Sequence, residues 1–217
     1  MARVIVVGSI NQDVTVTVDR FPSPGETLSG TSLTYSLGGK GANQAAAAAH
    51  SGATVVFVGA LGSDPSGQRL RCDLASHGVD VTHLREAEGP SGTALITVAA
   101  SGENTIILDA GANATVSVEP AKASLFPAPS DIVVLQAEIP ERANAEALAW
   151  AHSFGARVLL NLAPARPTDP ALMARTDILV VNETEAGLTL GMPAPAGPME
   201  AIGVARALRG LGPKHVM

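Results

Sequence analysis

The segment Gly38-Gly39-Lys40-Gly41-Ala42-Asn43-Gln44 packs three glycines, an amine and two amides just ahead of the alanine run Ala45–Ala49. Glycines let backbone approach a ligand closely, and a helix start favours negative or hydroxyl-rich groups. Lys40 stands out because Lys40, Lys122 and Lys214 are the only lysines among 14 basic residues. Its compact ammonium suits a phosphate or a hydroxyl better than the planar fork of Arg would. The loop is not a Walker motif, since Gly41 and not Ser or Thr follows Lys40, and it is not G-x-G-x-x-G. A tight strand-to-helix turn with Asn43 near the cap would explain the glycines without a ligand, and both readings stay open.

Two more groups fall where strands should end. Gly8-Ser9-Ile10-Asn11-Gln12-Asp13 follows the apolar run Arg3–Val7, and Glu138 follows Ile132–Leu135. In open α/β sheets, ligands bind beyond the carboxyl ends of the strands. Asp accepts from vicinal hydroxyls and Asn both donates and accepts, which suits a sugar, although an Asx-turn would use the same residues. Asn182-Glu183-Thr184-Glu185 follows Ile178–Val181. Asn182 as N-cap with Glu185 three residues on is nearly a capping box. The alternative has both facing a metal–phosphate group through water.

These groups need a frame. Arg3–Val7, Val55–Val58, Ile132–Leu135, Arg157–Leu160 and Ile178–Val181 are continuous apolar runs, as in strands covered on both faces. Helices are expected between them over Ala42–His50, Ser66–His77, Arg142–Phe154, Thr184–Leu190 and Met199–Arg209. The alternation predicts an α/β fold with a doubly wound, mainly parallel sheet sandwiched by helices. Val14–Val18, Leu33–Leu37, Ala94–Val98 and Thr105–Leu108 instead alternate apolar with polar, predicting a small separate sheet or an edge extension. Lys214–Met217 reads as the start of a further buried strand, so part of the fold is expected beyond residue 217.

Composition narrows the function classes. The chain has 217 residues, 46% of them hydrophobic and 16% charged, enough for a real core and unlike a disordered chain. Net charge is −6 without a basic cluster, which argues against nucleic acid as partner. The N-terminal apolar run is too short for a signal peptide and no stretch approaches a membrane span, so a cytoplasmic protein is expected. Cys72 is the single cysteine and is read as packing; His50, His77, His83, His152 and His215 show no metal-ligand spacing and are read as surface or cap residues. The sequons at Asn113 and Asn182 read as chance matches.

Taken in order, Gly8–Asp13, Phe21-Pro-Ser-Pro-Gly-Glu-Thr27, Gly38–Gln44, Asp109-Ala-Gly-Ala-Asn113, Asn161-Leu-Ala-Pro-Ala165 and Asn182–Glu185 resemble the ribokinase-like carbohydrate kinase family, with Gly52 and Gly62 also in place. The resemblance implies a small β-sheet lid, roughly residues 14–37 and 94–108, that also forms a homodimer contact. It implies sugar binding by Asn11, Gln12, Asp13, Gly39, Lys40, Gly41, Ala42, Asn43 and Glu138. Asn182 would contact ATP phosphates and Glu185 would help organise Mg²⁺, with a monovalent cation (K⁺) in the complete enzyme. The implied reaction is phosphorylation of D-ribose at its 5-hydroxyl. The family's Asp-Thr-x-Gly-Ala-Gly-Asp segment, with the catalytic base, has no match in residues 1–217 and is expected beyond them. A non-catalytic sugar-binding protein, or a sibling kinase for another sugar or a nucleoside, are the competing readings.

Overall fold

The structure, a computed structural model, describes residues 2–217. In chain order the strands are β1 (Arg3–Val7), β2 (Asn11–Val18), β3 (Ser32–Gly38), β4 (Thr54–Gly62), β5 (Val79–Ala87), β6 (Gly92–Ala99), β7 (Asn104–Asp109), β8 (Ile132–Gln136), β9 (Arg157–Asn161), β10 (Ile178–Val180) and β11 (His215–Val216). The α-helices are α1 (Lys40–His50), α2 (Pro65–Ser76), α3 (Glu141–Ser153), α4 (Pro170–Ala174), α5 (Glu183–Leu190) and α6 (Pro198–Gly210).

A seven-stranded sheet runs in the order β11-β10-β9-β8-β1-β4-β5, with every neighbouring pair parallel. Its strands are apolar on both faces because both are covered. Ile5 and Val7 of β1 join Val133 and Leu135 of β8 beneath α3, α5 and α6, and the alternate residues Val6 and Val134 face α1 and α2. Helix α3 presents Ala143, Ala147 and Ala151, one residue per turn, and small residues there bring helix and sheet close. Asp64 caps α2 by accepting from Gly67 N, with Pro65 at the first helical position; the same carboxylate accepts from Ser91, tying α2 to the start of β6.

Three expectations need correction. Strand β5 is absent from the apolar runs because an edge strand alternates: Asp80 is exposed between buried Val79 and half-buried Val81. Cys72 is exposed, since two residues past the buried Leu70 lies about 200° round a helix. Strand β11 forms beside β10, but His215 is exposed and Val216 only half-buried.

The expected small sheet is present, in the order β3-β2-β6-β7; β2–β6 is parallel and the outer pairs are antiparallel. Paired residues share a face. One face carries Tyr35, Val14, Leu95 and Ile107 in a row, the other Ser36, Asp13, Ala94 and Leu108. The first face is left open: Tyr35 is 58% exposed, Leu33 56%, Leu95 52% and Ile107 69%.

Two buried carboxylates tie the main sheet together. Asp131 accepts from Arg3 N at 2.8 Å, from the Arg3 guanidinium at 2.7 Å and from Ala128 N at 2.9 Å, joining β1 to the loop before β8. Asp177 accepts from Val158 N, Lys214 Nζ and His152, joining β9, β11 and α3 ahead of β10. Burial alone would raise both acids, but these hydrogen bonds outweigh it and hold both below the ordinary carboxylate value. A depressed carboxylate contributes stability above its unfolded pKa of about 3.9, and that contribution is lost as pH falls through the lower folded value. Asp131→Asn should therefore cost about 2–4 kcal/mol near neutral pH. Its stability should also fall less steeply than that of the unsubstituted chain between about pH 4 and 2, as urea unfolding across that range would report.

Candidate functional site

The chain runs outward from β1 to β4 and β5, then returns to place β8 on the other side of β1. The order of winding reverses between β1 and β8, and a crevice opens there at the carboxyl ends of the strands. Glu138, just past β8, spans it. Its Oε2 accepts from Ser9 Oγ at 2.6 Å and from Lys40 N at 2.9 Å. Ser9 Oγ in turn accepts from Gly41 N at 3.2 Å, and Ser9 O accepts from Ala42 N at 2.9 Å. One carboxylate and one serine thus fix the first turn of α1 against the ends of β1 and β8.

That approach requires glycine. Gly39 precedes α1 at φ 88°, and a Cβ there would lie 2.9 Å from Asn11 N and Ile10 Cα. A Cβ on Gly41 would lie 2.6 Å from Ser9 N. The helix consequently begins at Lys40, two residues before the expected start at Ala42, with Gly39 and not Asn43 at its cap. Asn43 is freed for the cleft.

The cleft holds about 340 Å³ and is lined by Asn11, Asp13, Gly39, Lys40, Asn43 and Glu138 on its polar side. Ala94, Ile96, Ile106 and Leu108 of the small sheet form the opposite wall. Asn11 is 4% exposed, and its Oδ1 accepts from Asn113 Nδ2 at 2.7 Å. Asn113 also accepts from Ile10 N and donates to Ile10 O, so it clamps the β1–β2 connection. Burial raises the Asp13 acid, and the negative charge of Glu138 raises it further. Two carboxylates, two amides and one ammonium converging beside an apolar wall can grip a polyol by its hydroxyls and lay its carbon face on the isoleucines.

Several expected residues lie elsewhere. Gln12 alternates with Asn11 and Asp13 along β2, so it points to the opposite face, where its Oε1 accepts from Arg69 at 3.0 Å. Gly41 and Ala42 are buried under the cleft and serve through their N–H groups on Ser9, without lining it. Ser9 and Asn113 were not singled out by sequence; both occur inside motifs quoted above, but nothing local marks a serine or a loop asparagine as a clamp.

Asn182 and Glu185 sit past β10, on the same edge but two strands from β8, about 10 Å away. They form a complete capping box: Glu185 N donates to Asn182 Oδ1 at 2.8 Å and Asn182 N donates to Glu185 Oε2 at 2.9 Å. No cluster of three or more metal-ligating side chains occurs among the described residues. Between the two regions, Gln44 Nε2 donates to Asn161 Oδ1 at 3.0 Å, and Asn161 Nδ2 donates to Val180 O, linking α1 to β9 and β10. An apolar groove of about 220 Å³ opens beside Asn182, with Ala186, Val204 and Leu208 in its walls.

The close approach at Gly39 is testable against Gly25, which has a similar φ of 82° but nothing within 4 Å of a Cβ. Gly25→Ala should cost about 1–2 kcal/mol for the backbone alone. Gly39→Ala should cost about 1–3 kcal/mol more by thermal or urea unfolding, because β2 must also move.

Comparison with known proteins agrees with this architecture. The family model for pfkB family carbohydrate kinases matches residues 1–217. The chain is 39% identical over 216 residues to ribokinase from Haemophilus influenzae, covering 98% of this chain and 70% of that protein. It is 39% identical over 190 residues to ribokinase from Bacillus subtilis, covering 87% of this chain and 64% of that one. The solved structure of Arabidopsis thaliana ribokinase complexed with ribose and ATP superposes with a TM-score of 0.86 at 32% identity, over all of this chain and 71% of that one. The chain thus spans between 64% and 71% of the length of these relatives. By sequence and by fold, it belongs to the pfkB family of carbohydrate kinases.

Proposed function

We propose that the cleft binds D-ribose, and that the complete enzyme transfers the γ-phosphoryl group of ATP to the sugar's 5-hydroxyl. The observation that carries this reading is the convergence of Asn11, Asp13, Asn43 and Glu138 in one cleft of about 340 Å³ facing Ile96 and Ile106. Charged acceptors and amides match vicinal hydroxyls, which are both donors and acceptors. The size of the cleft suits a monosaccharide. Similarity to ribokinases supports ribose over other sugars.

Phosphoryl transfer needs positioning and charge neutralisation more than covalent help from the protein. In this reading the chain's task is to hold the sugar so that its primary hydroxyl faces the nucleotide edge of the sheet. The start of α5, with Asn182, lies on that edge and carries N–H groups suited to phosphate. Mg²⁺, when bound, would neutralise the charge of the phosphates. Glu185 fits this role only through water and its Oε1, because Oε2 accepts from the Asn182 N–H. A monovalent cation and the general base belong to the segment that the relatives carry in addition.

The four-stranded sheet would act as a lid, since Ile96, Ile106 and Leu108 wall the cleft. Its opposite face, with Tyr35, Leu95 and Ile107 exposed, would meet a second copy as a homodimer; sedimentation of a Tyr35→Lys variant tests that contact. An enzyme that consumes ATP in this way would work in the cytoplasm. No described helix is long and apolar enough to cross a membrane.

Calorimetric titration with D-ribose tests the reading. The unsubstituted chain should bind ribose, and Asp13→Ala should weaken binding roughly 10- to 100-fold, the loss of one charged hydrogen bond of about 1.5–3 kcal/mol, with an unchanged circular dichroism spectrum. Unaltered affinity in that variant would remove Asp13 from the site. Preference for adenosine over ribose would overturn the sugar assignment. Ribose binding with no phosphoryl transfer by the protein purified from its source would favour a sugar-binding protein over a kinase.

A further inference from the structure

Away from the cleft, two of the five histidines touch. His50 is the last residue of α1 and His77 is the C-cap residue of α2. Their ring nitrogens, His50 Nε2 and His77 Nδ1, are 3.0 Å apart, with ring centroids 4.9 Å apart and planes inclined at 66°. The residues are 27 apart in sequence, so the fold brings them together and not a helical repeat. His50 is exposed and His77 half-buried, leaving room for water on the open side of the pair.

The surroundings favour positive charge. Helix α1 has 11 residues and α2 has 12, long enough for a macrodipole, and both direct their carbonyl ends at the pair. A helix C-terminus attracts cations. Here two such ends converge on two imidazole rings, side chains whose nitrogens suit a transition metal.

We propose that His50 and His77 form a surface site for a divalent transition-metal ion of the imidazole-preferring class, Ni²⁺ or Cu²⁺, completed by water. With metal–nitrogen bonds of about 2.05 Å, nitrogens 3.0 Å apart subtend roughly 95° at the metal. That angle is the cis angle of square-planar and octahedral coordination. A tetrahedral ion would need the nitrogens about 3.3 Å apart. The ion would replace the hydrogen bond between the rings: the donor ring takes its other tautomer, and a rotation of the exposed His50 ring brings both lone pairs to one point. The bound ion would staple the tails of the two helices that cover one face of the sheet, both of which pack on β4.

Titration calorimetry with Ni²⁺ tests the site in the chain as it stands, independently of any sugar or nucleotide. Saturable binding of one Ni²⁺ per chain is expected, weakened at least tenfold by His50→Ala and equally by His77→Ala, and unaffected by His83→Ala. Ni²⁺ should also raise the melting temperature of the unsubstituted chain and leave that of the His50→Ala/His77→Ala variant unchanged, because only a site present in the folded state shifts the equilibrium. Binding that survives the double substitution, or no saturable binding up to about 1 mM Ni²⁺, overturns the proposal.

Discussion

Everything at the cleft depends on where Glu138 is held. Its carboxylate accepts from Ser9 after β1 and from the first N–H of α1, so it joins the two strands between which the sheet reverses its winding. A carboxylate at a helix N-terminus is favoured by the dipole and by unpaired N–H groups. Without it, the Lys40 N–H would lose its acceptor, and Lys40 and Asn43 would lose their bearing on Asn11 and Asp13. The glycines before and within that turn matter for the same reason: the contact exists only if the backbone comes within van der Waals reach of the β1–β2 connection.

Much of this was legible in the residues. Continuous aliphatic runs announced strands covered on both faces, and the alternating segments announced a second sheet, because side-chain period reports burial directly. Gly39, Asn11, Asp13 and Glu138 stood out as chemistry-bearing groups at strand ends. What sequence did not separate was direction. Gln12 lies between Asn11 and Asp13 in the chain but on the other face of β2, where Arg69 holds it. Ser9 and Asn113 are 104 positions apart, yet both brace the same connection: their partners are fixed by tertiary packing, which no local pattern encodes. Cys72 shows the same limit on a helix, where a shift of two residues exchanges the buried side for solvent.

The edge at the start of α5 is built differently. Asn182 and Glu185 are committed to capping α5, and the capping box explains their types and spacing without a ligand. A cap and a phosphate contact are compatible, because both use the same concentration of N–H groups at a helix start. The hydrogen-bonded path from Gln44 through Asn161 to Val180 O ties the helix beside the cleft to this edge. Side-chain hydrogen bonds thus link α1 to the carboxyl ends of β9 and β10.

The most direct measurement is to locate ribose on the chain by amide chemical-shift mapping. If the cleft is the sugar site, the largest shifts on adding ribose fall on Asn11, Asp13, Gly39–Asn43 and Glu138, with Arg69 on the far face of β2 unmoved. Shifts concentrated instead on the groove beside Asn182, around Ala186, Val204 and Leu208, would contradict the assignment.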